Sequence, residues 1–269
     1  MFLQLLLVLQ PFVVGDLEGQ LGNQLFTIAA TVSVALDHGA QPVFPDLEQK
    51  ATYNIPMNRK TLFSHLLTHI SCPVRSCYRE PHFHYAPIPY RPYMKIQGYF
   101  QSEKYFIHHK REILELFAPS NEIIRYLERH YSDLLTHPRS VAIHVRFYHE
   151  DPEQICHIAP RRDYFEKAIA LFSEESLFVV FSNQMQKCKE LLSGISGTFC
   201  FIEGELDYHD LYLMSRCRDQ IISNSSFSWW AAYLNPNPNK VVIAPDPWFN
   251  PAYGLDTKDL IPSDWIILH

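Results

Sequence analysis

Between residues 141 and 244 the chain alternates short apolar runs with amphipathic helical patterns, which limits the folds open to it. The run at residues 177–181 is apolar throughout, as is typical of a parallel strand covered on both faces. Residues 162–172 place their apolar side chains at the spacing of one helix face. This alternation predicts a doubly wound parallel sheet of an α/β fold. We predict its five strands at residues 141–146, 177–181, 199–202, 220–223 and 240–244.

The part of the chain before this alternation is less regular and predicts a second α/β half. His137-Pro138 interrupts a helical pattern, so we place the domain boundary there, between residues 1–137 and 138–269. The first half is predicted to contain strands at residues 12–14, 41–44 and 94–99, and helices at residues 25–36, 103–117 and 121–135.

The charge balance argues against nucleic acid as a partner, because the 269 residues carry a formal net charge of −6. The densest basic run is His108-His109-Lys110-Arg111, which we assign to the solvated face of a helix, with a local anion contact left open. The apolar run at residues 5–9 is too short for a membrane span and lacks the flanks of a signal peptide, so we expect a short N-terminal extension. The six cysteines show no CxxC or zinc spacing, which favours a reducing, cytoplasmic location, with peripheral association at a membrane surface left open.

Polar side chains stand at the ends of three predicted strands. His144 and Arg146 end the first, Ser182 and Asn183 follow the second, and Asn224 follows a later one. Ligands of a doubly wound sheet bind beyond the carboxyl ends of its strands. The planar guanidinium of Arg146 suits a diphosphate, and a structural ion pair with an Asp or Glu is the alternative.

Residues 221–234 pass from an apolar strand end through small polar residues into a helix. Ser225 or Ser226 is a suitable N-cap, because a hydroxyl can accept from the free N–H groups of the first turn. The start of such a helix favours a phosphate, whereas an ordinary capped core helix is the alternative. The predicted core-facing stripe of this helix is Phe227, Trp230, Ala231 and Leu234.

A second turn of interest follows the first predicted strand and contains Gly19, Gly22, Asn23 and Gln24. Two glycines there indicate a tight turn with close backbone approach, although this spacing alone is weakly specific. The sequence shows neither metal-ligand spacing nor a DxD motif. We therefore expect a diphosphate site that uses no metal and no other cofactor, with Arg146 and helix N-termini compensating the charge.

Several segments, taken in order, resemble one known family over nearly the whole chain. The family is that of the GDP-fucose-dependent α-1,2-fucosyltransferases, glycosyltransferase family 11. The matching segments are residues 19–26, 98–106, 144–146, 163–169, 181–182, 210–215, 224–230 and 242–249, with the motifs GQLGNQLF, GYFQSEKYF, HVR, DYFEKAI, FS, DLYLMS, NSSFSWW and VIAPDPWF.

The resemblance implies a GT-B-like fold with two Rossmann-type halves. It further implies inverting transfer of L-fucose from a GDP-β-L-fucose donor, without a metal, to the 2-hydroxyl of a galactoside in an oligosaccharide or glycolipid. The half at residues 1–137 would hold the acceptor and the half at 138–269 the donor. By matching position, His144 and Arg146 would contact the diphosphate, and the further donor-binding residues would be Ser182, Asn183, Asn224, Ser225, Ser226 and Phe227.

Three departures from the family pattern all fall where a ligand is expected. Arg146 is followed by Phe147-Tyr148-His149 instead of Arg-Gly-Asp, and Asn183-Gln184 replaces Asp-Asp. The third departure is Gln20, which stands where the glycine-rich turn usually has a glycine.

An inverting transfer needs a base near the acceptor hydroxyl or a well stabilised leaving group. Candidates for the base are His149, Glu150 and Asp151, and the sequence does not choose among them. The catalytic residues we predict are Arg146, His149 and Asp151. Two alternatives remain, namely a nucleotide-sugar- or glycan-binding protein of the same fold with lost turnover, and a transferase for another GDP-sugar.

Overall fold

The computed structural model describes residues 10–148 and 156–269, and the chain divides into two compact units, Met1–Glu115 and Leu116–His269. The predicted boundary at residue 137 differs from this division. The difference arises from the helix Asn121–Thr136, which packs within the second unit, where its Tyr126 and Tyr131 hydroxyls both donate to Glu205.

The first unit contains a four-stranded parallel sheet in the order β2-β1-β4-β3. Gly15 ends the first strand, and the long helix that follows is buried along most of its length. The elements are β1 Phe12–Gly15, α1 Leu21–Asp37, β2 Gln41–Val43, α2 Asp46–Gln49, α3 Ile55–Thr61, β3 Ser76–Arg79, β4 Met94–Gln97 and α4 Lys110–Leu116, with 3₁₀ turns at Glu103–Tyr105 and Ile107–His109.

The second unit contains a six-stranded parallel sheet in the order β10-β9-β8-β5-β6-β7. The elements are α5 Asn121–Thr136, β5 Ser140–Val145, α6 Arg162–Ile169, β6 Leu177–Ser182, α7 Met185–Leu192, β7 Thr198–Phe201, α8 Asp207–Arg216, β8 Asp219–Ile221, α9 Ser226–Tyr233, β9 Val242–Pro245 and β10 Ile266–Leu268, with a 3₁₀ turn at Pro251–Tyr253. The strand order runs outward in both directions from β5, so the sheet is doubly wound as predicted.

The core of the second unit lies around the central strands. β5 and β6 pair in parallel along their whole length, with Val141 opposite Phe178 and His144 opposite Phe181. Their apolar residues are nearly inaccessible to solvent, which explains why the sequence carries continuous apolar runs there. Tyr164 of α6 donates its hydroxyl to the carbonyl oxygens of Ile222 and Ile243, at 2.6 and 3.0 Å, and so ties this helix to the neighbouring strands.

Two local predictions were wrong, and a third was right in position only. The helix predicted at residues 103–117 is two 3₁₀ turns followed by the short α4, because the backbone leaves the helical region at Phe106, with φ −146°. α9 is buried all around and not on one stripe, with Trp229 and Trp230 inaccessible and Phe227 and Leu234 only half-buried. Ser225 occupies its N-cap position, but the side chain makes no capping hydrogen bond.

The first nine residues, including the apolar run at residues 5–9, lie outside the described part of the chain. No helix in the described ranges is both long and apolar enough to cross a membrane.

Candidate active site

The predicted polar strand ends of the second unit meet at one edge of its sheet. β5 lies between β6 and β8, and the strand order reverses at β5, so the carboxyl ends of β5 and β8 border the switch point of the sheet. Ligands of doubly wound sheets bind in the crevice at this point. His144 is the penultimate residue of β5, Arg146 follows the strand directly, and Ser223 and Asn224 follow β8.

His144 is a buried, neutral group of this edge. Its Nδ1 and the hydroxyl oxygen of Ser223 are 2.9 Å apart and share a hydrogen bond, and its ring centroid lies 5.5 Å from that of Phe227. Burial, assisted by the positive charge of Arg146, lowers the pKa of His144 to about 3. His144 is therefore neutral at physiological pH and adds no positive charge to this edge.

Arg146 is the cation of the site. Its side chain is half-buried, and its guanidinium carbon lies 5.6 Å from the ring centroid of Tyr148. Across residues 10–148 and 156–269 no Asp or Glu forms an ion pair with it. The structural ion pair considered from the sequence therefore has no acidic partner within these two ranges.

Tyr148 joins the end of β5 to the start of α9. Its hydroxyl donates to the carbonyl oxygen of Asn224 at 2.6 Å, and its ring stacks on that of His157, with centroids 3.7 Å apart and planes 4° apart. Burial raises the pKa of Tyr148 to about 12, although the charge of Arg146 and a hydrogen bond with Ser225 act in the other direction. Burial and Arg146 together lower the pKa of His157 to about 4.

Asn224 uses its side-chain amide to hold neighbouring loops. Its Nδ2 donates to the carbonyl oxygens of Ile158 and Trp248, both at 3.1 Å. Ser225 is buried as well, and its N–H donates to the carbonyl oxygen of Ser223 at 2.7 Å. These bonds set the turn from which α9 begins, so the positive end of the α9 dipole points to the same edge as Arg146.

Asn183, which follows β6, supports the loop after Arg146, whereas Ser182 bonds within its own loop. Asn183 exchanges two hydrogen bonds with the backbone of Phe147, accepting from its N–H at 2.9 Å and donating to its carbonyl at 2.8 Å. Ser182 accepts from the N–H of Gln184 at 3.1 Å. Both side chains lie next to the predicted site, and these contacts fix the loop conformation.

The predicted glycine turn belongs to the first unit. Gly19 has φ +72°, and a Cβ there would lie 2.4 Å from the side-chain nitrogen of Asn23, so both the backbone conformation and the close approach favour glycine. Gln24 is buried and donates to the carbonyl oxygens of Gly19 and Tyr53, both at 2.9 Å. Gln101 donates to the Asn23 side chain at 2.9 Å, whereas Gly22 lies buried in the first turn of α1. These polar side chains hold the turn in place.

A charged cluster beside this turn was not predicted. Asp16 follows β1 and accepts from Gln97 at 2.6 Å, and it pairs with Lys95 at 3.0 Å and Lys50 at 3.4 Å. Burial alone would raise the pKa of Asp16, but the bonds from Gln97 and Lys95 and the charge of Lys50 lower it to about 2. The position of an acid directly after a buried strand was the signal that could have found it.

The remaining predicted catalytic residues, His149 and Asp151, lie outside the described residues together with Glu150. No role was predicted from the sequence for Ser223 and His157, and Tyr148 was noted only within a departure from the family pattern. Tyr148 lies two residues after one predicted strand and Ser223 ends another, which is the signal that could have found them, whereas nothing in the sequence pattern marks His157.

Two units that each contain a parallel sheet are typical of a GT-B-like glycosyltransferase fold. Fucosyltransferase NodZ from Bradyrhizobium shares this fold, with a TM-score of 0.56 at 15% identity over 84% of this chain and 94% of that chain. A NodZ α-1,6-fucosyltransferase soaked with GDP-fucose matches with a TM-score of 0.55 at 16% identity over 88% and 96% of the two chains.

Sequence comparison identifies the family. The Glycosyl transferase family 11 model matches residues 48–269, and the chain belongs to that family. An α-1,2-colitosyltransferase of Escherichia coli is 34% identical over 63% of this chain and 60% of its own length. Galactoside α-(1,2)-fucosyltransferase 2 of Sus scrofa is 29% identical over 80% of this chain and 67% of its own. The chain thus spans about three fifths of the length of the first of these relatives.

Proposed function

We propose that this chain transfers L-fucose from GDP-β-L-fucose to the 2-hydroxyl of a galactoside, with inversion at the fucose anomeric carbon. The observation that carries the proposal is the environment of Arg146. Its guanidinium stands half-buried at the carboxyl end of β5 and pairs with no acidic residue of the described ranges. A diphosphate is the anion whose oxygens match its planar fork of N–H groups.

In the proposed reaction, the acceptor oxygen attacks C1 of fucose while the bond from C1 to the β-phosphate oxygen breaks. The electron pair of that bond leaves with GDP, and the acceptor proton passes to a base, for which His149, Glu150 and Asp151 are the candidates. Arg146 would bind the charge that develops on the diphosphate, assisted by the start of α9. His144, neutral because its pKa is about 3, would hydrogen-bond the donor without adding charge. The scheme uses no metal or other cofactor.

The acceptor and the cellular location belong to the same proposal. The family and the galactoside α-(1,2)-fucosyltransferase relative support a galactose-terminated oligosaccharide or glycolipid as acceptor. We assign acceptor binding to the first unit and donor binding to the second. The location we propose is cytoplasmic, at the membrane surface when the acceptor is a glycolipid.

A second donor is favoured by one comparison, since the relative at 34% identity is an α-1,2-colitosyltransferase. Colitose is 3-deoxy-L-fucose, so the two sugars differ by a single hydroxyl group. A site that hydrogen-bonds this hydroxyl rejects the deoxy donor strongly, whereas a site that leaves it in solvent accepts both.

The deciding experiment offers the purified protein GDP-fucose, GDP-colitose and GDP-mannose in turn, each with a β-galactoside acceptor, and measures released GDP. We expect release with GDP-fucose, and nuclear magnetic resonance of the product should show an α-linked fucose on O2 of galactose. Release with GDP-colitose alone would favour the second donor. Tight GDP binding without release from any donor would contradict the proposal and support the binding-protein alternative.

A further inference from the structure

We propose that Asp37, His108 and His109 form a surface site for a late first-row divalent metal such as Zn²⁺. The three residues lie in the first unit, where Asp37 ends α1 and the two histidines end the 3₁₀ turn Ile107–His109. The site has no part in the transfer reaction proposed above.

Potential ligand atoms of Asp37, His108 and His109 lie close together at the surface of the first unit. Nε2 of His108 lies 3.1 Å from one carboxylate oxygen of Asp37, and Nε2 of His109 lies 2.8 Å from the other. One ligand atom from each of the three residues lies within 4.8 Å of the other two. Two consecutive histidines therefore direct the same ring nitrogen at a single carboxylate.

These spacings are close to those of a metal centre. Zinc binds imidazole nitrogen and carboxylate oxygen at about 2.0–2.2 Å, which separates two ligands at tetrahedral angles by about 3.4 Å. The observed separations of 2.8 and 3.1 Å end on different oxygens of the carboxylate and would each need to widen by a few tenths of an ångström. Because the three ligand atoms lie within 4.8 Å of one another, side-chain rotation would have to close a remaining difference of at most about 1.4 Å. The protons now shared between the histidines and Asp37 would be replaced by the ion.

The chemistry of the ligands selects the metal. Two imidazole nitrogens and one carboxylate suit zinc, nickel or copper, whereas magnesium and calcium prefer oxygen ligands alone. The hydroxyl of Ser33, one helical turn before Asp37 on α1, lies 3.2 Å from Nε2 of His108, so another oxygen borders the site.

An ion can enter the site without unfolding. The side chains of Asp37, His108 and His109 are 40%, 48% and 22% exposed, whereas the helix that carries Asp37 is buried along most of its length. Metal bound there would join the end of α1 to the 3₁₀ turn and stabilise the first unit by mass action. Three protein ligands leave the remaining coordination position to water.

The test is zinc binding by the metal-stripped full chain at pH 7.5, measured by isothermal titration calorimetry and by the shift in Tm. We expect one zinc ion per chain and a higher Tm. His109→Gln and Asp37→Asn should abolish both effects, while the metal-free Tm of each variant reports whether its fold is intact.

The matched control is the double variant His82→Gln/His84→Gln. The rings of His82 and His84 are stacked with centroids 3.5 Å apart, but this pair forms no three-ligand group with a carboxylate within residues 10–148 and 156–269. The control should bind zinc as the wild type does. Absence of stoichiometric binding by the wild type, or equal binding by folded His109→Gln, would overturn the proposal and leave an ordinary histidine–carboxylate pair.

Discussion

The hydroxyl of Tyr148 donates to the carbonyl oxygen of Asn224 at 2.6 Å, and this bond joins the loop after β5 to the turn that begins α9. Arg146 is carried by the first of these segments, and its guanidinium faces the ring of the same tyrosine. The position of the cation relative to the start of α9 therefore depends on Tyr148.

We predict that Tyr148→Phe raises the KM for GDP-fucose about fivefold, which is the effect of losing one hydrogen bond of about 1 kcal/mol. The ring stacking on His157 would remain. Tyr212→Phe is the matched control, because that hydroxyl also donates to a backbone carbonyl, of Phe117, at 2.8 Å. Both variants should lose stability in a thermal unfolding assay, but only Tyr148→Phe should change the donor KM. An equal change in both would contradict the role assigned to Tyr148.

Arg146→Ala should lower kcat by at least about a hundredfold, as removal of a group that stabilises developing negative charge does. Arg146→Lys keeps the charge but lacks the planar fork, so its kcat should fall between those of Arg146→Ala and the wild type. The control is Arg139→Ala, at an arginine that precedes β5 at the opposite end of the strand. Because the Arg139 side chain is 50% exposed and pairs with Glu175 at the surface, this substitution should leave turnover unchanged. The measurement is released GDP, with circular dichroism to verify the fold. Near-wild-type turnover of Arg146→Ala would refute the donor-site assignment.

The protein should lose stability in acid because of His144. Its pKa in the folded state is about 3, below the ordinary 6.5, so below pH 6.5 the unfolded chain binds a proton that the folded chain does not. Its contribution to stability is fully present above pH 6.5 and is lost as the pH falls towards 3. We expect a loss of about 2 kcal/mol at pH 5, given 1.36 kcal/mol per pKa unit.

The measurement for this acid effect is urea unfolding at pH 7.5 and pH 5. His144→Gln should reduce the difference in unfolding free energy between the two pH values. His82→Gln, at an exposed position, serves as the control and should leave that difference unchanged. If both variants retained the wild-type difference, the buried neutral state of His144 would be ruled out as its source.

Asp210→Asn should stabilise the protein at alkaline pH. Burial, with the negative charges of Glu205 and Asp207, raises the pKa of Asp210 to about 7, and its Oδ1 has no hydrogen-bond partner in the described part of the chain. Since the unfolded carboxyl ionises near pH 3.8, stability falls as the pH rises from 3.8 through 7. At pH 8.5 the free energy of unfolding of Asp210→Asn should exceed that of the wild type by about 2 kcal/mol. This is less than the full rise in the pKa of Asp210 would give, because its carboxyl group is partly exposed to solvent.

This gain should disappear at pH 4, and the exposed Asp133→Asn should show no gain at either pH when Tm is measured. A lower Tm for Asp210→Asn at pH 8.5 would show that the carboxylate, not its protonated form, is the stabilising species.

The sequence predicted β6 most directly, because this central strand is covered on both faces and so carries a continuous apolar run. It did not predict β3 or β10, which are edge strands of their sheets. β3 alternates half-buried with exposed residues, and the three residues of β10 are exposed or half-buried, so neither carries that apolar signal.

The sequence predicted the positions of the candidate site residues from the strand ends, and their roles stay predictions. His144, Arg146 and Asn224 could be placed at one edge because the carboxyl ends of parallel strands meet there. The partner of Arg146 could not be predicted from the sequence, because a strand-end pattern does not show which charged groups lie near a side chain, and a diphosphate there stays a prediction. The stacking of Tyr148 on His157 follows no periodicity, so only the folded chain reveals it.

The tryptophans of α9 and of the segments that follow it allow the unfolding of the two units to be followed separately by spectroscopy. All four tryptophans, Trp229, Trp230, Trp248 and Trp265, lie in the second unit, and none is more than 7% exposed. Intrinsic tryptophan fluorescence therefore reports the unfolding of the second unit but not that of the first, whereas far-ultraviolet circular dichroism reports the loss of secondary structure in both. Comparing the two signals during denaturation distinguishes independent from concerted unfolding of the units, without labels or mutations.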